Sequence, residues 1–236
     1  MAPDGVAVHA ARVYLEAMDA DPTLTQPMAL APLRAYLQPP LLDDAAALLA
    51  AGPSSVIAYA FTSTCYLGGD GDDDGLRARL EQSTRGVPVV TTCASAVDAL
   101  RTLEVERIAI VHPPWISGEL NAMGAAYFRR RDFNVVVATQ ALTLGLQHDI
   151  EPSDVYSWVR ANIPDHVEAI FLAGNGFRVV GAIDPLERDF GRPVLSANQV
   201  LLWAALKAAN VTDTLVTAYG RLLRLSSQPV PPSGSS

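Results

Sequence analysis

Much of this chain is written twice, and that repeat limits its fold more than any other feature. GVPVVTTCASAVDAL from Gly86 runs beside GRPVLSANQVLLWAAL from Gly191, and SVIAYAFTS from Ser55 runs beside EAIFLAGNG from Glu168. GVAVHAARVYL from Gly5 likewise parallels NVVVATQALTL from Asn134. Order is kept while loop lengths differ, as expected of two copies of one supersecondary arrangement packed about a shared core. Within each copy, short β-rich runs alternate with amphipathic stretches, the pattern of βα units on a mainly parallel sheet. The fold class expected is therefore α/β, with two pseudo-symmetric, mainly parallel-sheet βα halves.

Strands are expected at 6–13, 55–60, 87–91, 107–112, 134–140, 168–173 and 193–196. Helices are expected at 30–50, interrupted by Pro39 and Pro40, and at 76–83, 94–103, 118–130, 152–161, 179–190 and 200–209. The second half opens with a strand, RIAIVHPPW from Arg107, for which the first half has no counterpart. The first strand of the N-terminal half is thus expected to be missing, because the natural chain starts upstream of Met1 or because a buried strand was lost. Residues 1–104 with 199–225 should form the N-terminal half and 105–198 the C-terminal half. The Ser/Pro-rich stretch 226–236 is expected to be disordered.

Composition removes several function classes. Half of the 236 residues are apolar and 18% are charged, enough for a proper core. A net charge of −8 argues against a nucleic-acid partner, which needs clustered Lys and Arg. No apolar stretch approaches the length of a membrane span, and Met1 to Gly5 lacks a basic start or a sustained apolar run, so no membrane partner and a cytoplasmic location are expected. Cys65 and Cys93 show neither CxxC nor His-paired spacing, so they read as free thiols with no metal site.

In open parallel sheets, ligands sit beyond the carboxyl ends of strands. The residues there are Phe61, Thr62, Ser63 and Thr64; Thr91, Thr92 and Cys93; His112 to Trp115; Gly174 to Arg178; and Ser196 to Gln199. They offer hydroxyls, amides, Gly-flanked N–H groups and one Arg, a set suited to a carboxylate or dicarboxylate. The GNG turn at Gly174 fails the dinucleotide fingerprint, because Val179 stands at its third Gly position, and there is no phosphate-binding GxxxxGK.

Four of these motifs, AYAFTST from Ala58, PVVTT from Pro88, LAGNGFR from Leu172 and PVLSANQVLLW from Pro193, resemble the Asp/Glu racemase superfamily. The nearest branches are maleate isomerase, arylmalonate decarboxylase and the ectoine-utilisation proteins. The resemblance covers about Gly5 to Val211. It implies no cofactor, a small-carboxylate ligand and a homo-oligomer. It also implies one reactive cysteine at a strand end in each half, one taking a proton or attacking while the other donates. Phe61 stands at the first of these positions, Gly174 at the second, and Trp115 at a position commonly held by tyrosine. The ordinary two-cysteine mechanism is therefore not expected.

Two functions follow from that resemblance. One is a cofactor-independent isomerase, racemase or decarboxylase relative with a substitute acid or base. Its candidate is His112, at a strand end and suited to proton transfer near neutral pH, with Cys65 and Cys93 as weaker ones. The other is a non-catalytic carboxylate-binding protein with a degenerate active site. In either case Phe61, Thr62, Ser63, Thr91, Trp115, Gly174, Asn175, Gly176, Arg178 and Asn198 are the expected ligand-binding residues, with Arg178 able to clamp a carboxylate. Asp70 to Glu81 fits a calcium-loop pattern, but it follows a strand rather than a helix, so it reads as a solvated acidic loop.

Overall fold

The computed structural model describes residues 1–15, 24, 26–67, 72–211, 216 and 218–225, with only the backbone at Asp72. The stretch 226–236, and Asp70 of the acidic loop, lie outside the described residues.

Among the described residues, the larger of two parallel sheets has β3 (Arg107–His112) near its centre. β4 (Asn134–Gln140) lies on one side of it, and β5 (Ala169–Leu172) then β6 (Val194–Ser196) lie on the other. β5 reads AIFL and all four residues are buried, as an apolar run should be when a strand is covered on both faces. Successive residues serve opposite faces. Ile108, Ile110 and Phe171 join one apolar cluster, and Ala109, Val111, Ile170 and Leu172 join the other. The smaller sheet is a parallel pair, β1 (Ile57–Tyr59) and β2 (Val89–Thr91).

Strand registers reproduce the repeat. Ile57 pairs with Val89 and Tyr59 with Thr91 in the small sheet, and their sequence counterparts pair as Ile170 with Val194 and Leu172 with Ser196 in the large one. The buttressing is repeated too. Glu81, on α4 (Asp72–Ser83), accepts the Val89 N–H at 3.3 Å, and Glu187, on α8 (Ile183–Phe190), accepts the Val194 N–H at 3.1 Å. The helices that follow β2 and β6, α5 (Thr92–Thr102) and α9 (Ala197–Ala208), pack on each other.

Both of those helices start directly at the strand end, ahead of the starts expected at Ala94 and Val200. For α9 the cause is a capping box. Ser196 accepts from the Gln199 N–H at 3.2 Å, and the Gln199 side chain accepts from the Ser196 N–H at 3.1 Å.

The strand expected at 6–13 does not form. Its residues are irregular, and Val8 is 72% exposed. In the second half the equivalent strand, β4, pairs only with β3, and the first half has no described counterpart of β3. Without that ladder, 6–13 has no neighbouring strand among the described residues to pair with, and a strand with no partner is not stable in water.

The acidic segment also differs from expectation. Asp73 is only 2% exposed and accepts the Tyr127 hydroxyl at 2.6 Å. Among the described residues no group of three or more His, Cys, Asp or Glu is placed to hold a metal ion. No helix among them is long and apolar enough to cross a membrane.

Candidate functional site

At the carboxyl ends of β1, β2, β5 and β6 the two halves meet around one oxygen atom. The side-chain oxygen of Asn175 accepts from the Thr62 N–H at 2.9 Å, from the Thr62 hydroxyl at 2.7 Å and from the Thr92 hydroxyl at 3.3 Å. The Thr62 hydroxyl in turn accepts the Gly174 N–H at 3.2 Å. Beyond the oxygen, the Asn175 amide donates to Asn198 Oδ1 at 3.0 Å, and Asn198 Nδ2 donates to the Asn175 carbonyl at 2.9 Å. Thr62 and Asn175 are the counterparts of one another in the repeat, so the pseudo-twofold relation sets them face to face.

The donors are buried and their occupant is not. Thr62 is 2% exposed and Thr92 fully buried, whereas Asn175 and Asn198 are half-buried. Thr62 begins a one-turn helix, Thr62–Cys65, whose four polar residues are all buried. Burial of Thr64 is tolerated because its hydroxyl is paired: Oγ1 donates to the Phe61 carbonyl at 2.9 Å and lies 2.7 Å from the Tyr59 hydroxyl. The donors are thus held in place by the fold and converge on a single acceptor oxygen.

The groups hydrogen-bonded at this cradle belong to Thr62, Thr92, Gly174, Asn175 and Asn198, and none of them is ionisable. His112 is 1% exposed and lies on the Ile108–Ile110 side of its strand, where both ring nitrogens are engaged. Nδ1 is 2.9 Å from Asn121 Oδ1 and Nε2 is 3.1 Å from the Tyr66 hydroxyl. Asn121 Nδ2 is committed to the Ala138 carbonyl, so its oxygen accepts from Nδ1–H and the tyrosine donates to Nε2. Burial pushes the imidazole down to about 4.

Cys65 and Cys93 are 2% and 0% exposed. Cys65 donates to the Phe61 carbonyl at 3.5 Å and Cys93 to the Thr62 carbonyl at 3.6 Å, so both brace the backbone behind the cradle. The neighbouring Cys93 thiol, then burial, pushes the Cys65 thiol up, and burial pushes up Cys93. Neutral thiols in such a setting are poor nucleophiles.

Other expected ligand residues are distributed around this centre. Phe61 is half-buried with its ring edge-on to Tyr36 at 5.3 Å. Ser63 is buried beside Thr62, and Gly176 is exposed at the rim. Trp115 is buried in the core with its ring against Phe177. Arg178 is exposed and its guanidinium holds both Glu151 oxygens, at 2.8 and 3.2 Å, not the cradle.

Thr91 ends its strand with a buried hydroxyl that has no partner among the described residues, while Thr92, a strand-end residue left out of the expected ligand set, supplies the third donor. The signal was the doubled threonine: successive residues at a strand end point to opposite sides, so only one of the pair can face the cleft.

An open depression of about 600 Å³ lies at the opposite, amino ends of β3, β5 and β6. Its arginines are already committed, Arg107 to Glu168 at 2.8 Å and Arg192 to the carbonyls of Asp165 and Val167. The strand-end cradle is the better candidate.

Comparison with known proteins identifies the family. A maleate isomerase from Pseudomonas putida (strain KT2440) is 26% identical over 189 residues, covering 77% of this chain and 74% of that protein. The crystal structure of the maleate isomerase Iso from Pseudomonas putida S16 superposes with a TM-score of 0.74 at 21% identity, covering 90% of each chain. Unliganded arylmalonate decarboxylase superposes with a TM-score of 0.70 at 22% identity, covering 85% of each chain. The sequence also matches the family described as arylmalonate decarboxylase over residues 41–223, well beyond half its length. By fold, by motif order and by that match, the chain belongs to the arylmalonate decarboxylase family.

Proposed function

We propose that this protein binds a small carboxylic or dicarboxylic acid at the Thr62–Thr92 cradle and does not turn it over by proton transfer. The observation that carries the reading is the convergence of three donors on one oxygen in a site where no hydrogen-bonded group can ionise. A carboxylate oxygen placed on the Thr62 N–H and the two hydroxyls would receive charge-assisted bonds. Racemisation, isomerisation or reprotonation after decarboxylation needs an acid or base within reach of the reacting carbon. His112, Cys65 and Cys93, the candidates for that task, are buried and bonded elsewhere.

Calorimetric titration with malonate, maleate and phenylmalonate is the test, run beside proton NMR in deuterated buffer. Thr62→Val removes the hydroxyl while keeping the shape, and should weaken binding about tenfold, the worth of roughly one charge-assisted hydrogen bond. No deuterium should enter the carbon next to the carboxylate, and no carbon dioxide should be released. Binding unchanged in Thr62→Val would place the ligand elsewhere and overturn the reading. Exchange or decarboxylation would establish the enzymatic alternative.

A further inference from the structure

The cradle is already filled, and by the protein's own side chain. Three donors converge on Asn175 Oδ1, yet that atom belongs to a neutral amide with two lone pairs. The Thr92 hydroxyl has a single proton and two acceptors for it, the Tyr59 carbonyl at 3.1 Å and Asn175 Oδ1 at 3.3 Å. The amide oxygen therefore stands where an anion would be held better, since donors of this kind bind a carboxylate roughly twice as strongly as a neutral acceptor.

The side chain is also placed to leave. Gly174 and Gly176 flank it, and Gly174 sits at φ +97°, so the turn carrying Asn175 has more backbone freedom than a strand end ordinarily has. Asn198 grips Asn175 at two points, its oxygen on the side chain and its amide on the backbone carbonyl. The second of those bonds survives if the side chain swings out. Asn198 can thus hold the turn in place while the amide is exchanged for a ligand.

Resting on the carboxylate reading above, we propose that Asn175 is a built-in plug of the cradle, and that a ligand carboxylate binds only by displacing its amide oxygen from Thr62 and Thr92. The free protein is self-occupied, and its affinity for small acids is set by this competition and not by the cradle alone.

The test compares acetate and malonate binding by calorimetry in the full chain and in Asn175→Ala. Asn175→Ser, which keeps a polar group too short to reach the donors, is the second variant should the first fold poorly by circular dichroism. Removing the plug should tighten binding at least about tenfold, equivalent to about 1.4 kcal/mol. Adding Thr92→Val to the opened variant should cancel the gain, which locates it in the cradle.

Equal affinity with and without the Asn175 side chain would overturn the plug while leaving carboxylate binding intact. Weaker binding in the variants would make Asn175 a ligand contact and likewise overturn it. No binding by any folded version would overturn the plug together with the carboxylate reading.

Discussion

Acidification from pH 7 to pH 4 is expected to remove about 3 kcal/mol of folding stability through His112 alone. Burial holds its imidazole at about 4 in the folded state, against about 6.5 in an unfolded chain. Between those values the unfolded chain binds a proton that the folded one refuses. Stability is therefore fully present above pH 6.5 and is lost as the pH falls toward 4. At roughly 1.4 kcal/mol per unit, the gap of about two and a half units sets a ceiling of about 3.5 kcal/mol, of which about 3 is lost by pH 4, where the folded imidazole is half protonated. Urea unfolding at pH 7 and pH 4 measures the loss, with His112→Gln as the reference, because its amide can donate to Asn121 and accept from Tyr66 without titrating. Equal pH slopes in the two proteins would sink the assignment. Imidazole NMR offers an independent reading: one of the four histidines should remain neutral at pH 5, with its proton on Nδ1.

Gly174→Cys, which would install a thiol at the end of β5, is expected to cost about 2–4 kcal/mol. Two physical terms add. The backbone at 174 has φ +97°, a conformation that a residue with a Cβ adopts only under strain. A Cβ built there also meets the Pro113 ring, at 3.0 Å from Cγ and 3.1 Å from Cδ, and a proline ring cannot rotate out of the way. The melting temperature should fall by roughly 5–10 °C. An unchanged melting temperature would show that the turn relaxes at no cost. The same geometry sets Phe61 apart. It sits at φ −149°, in extended backbone open to any residue, so the two strand ends are equivalent in sequence position but not in conformation.

The repeat and the parallel βα organisation were both legible in the sequence. Runs such as AIFL and RIAIVH announce buried parallel strands through their apolarity, and GxPV followed by small polar residues marks both β2 and β6. These are properties of short windows, where neighbouring side chains decide which face is buried. The early starts of α5 and α9 were partly legible too, since Ser196 and Gln199 form a recognisable capping pair.

Residues 6–13 were misjudged for the complementary reason. The segment resembles β4 locally, but a strand exists only where another supplies its hydrogen bonds.

Contacts at the cradle were beyond sequence in the same sense. Thr62 and Asn175 lie 113 residues apart, and nothing in either neighbourhood states that the oxygen of one will sit on the donors of the other. His112 looked like a base because it ends a strand. Alternation along β3 turned it toward Tyr66 and Asn121, where burial keeps it neutral. Arg178 looked like a carboxylate clamp and found Glu151 instead. Sequence alone determined that this chain would build two matching βα halves with their polar strand ends together, because apolar period and repeat order are local and survive any loop length. Only the tertiary structure decided which hydroxyl, amide, thiol and imidazole reach the cleft, because that depends on register and facing between segments distant in the chain.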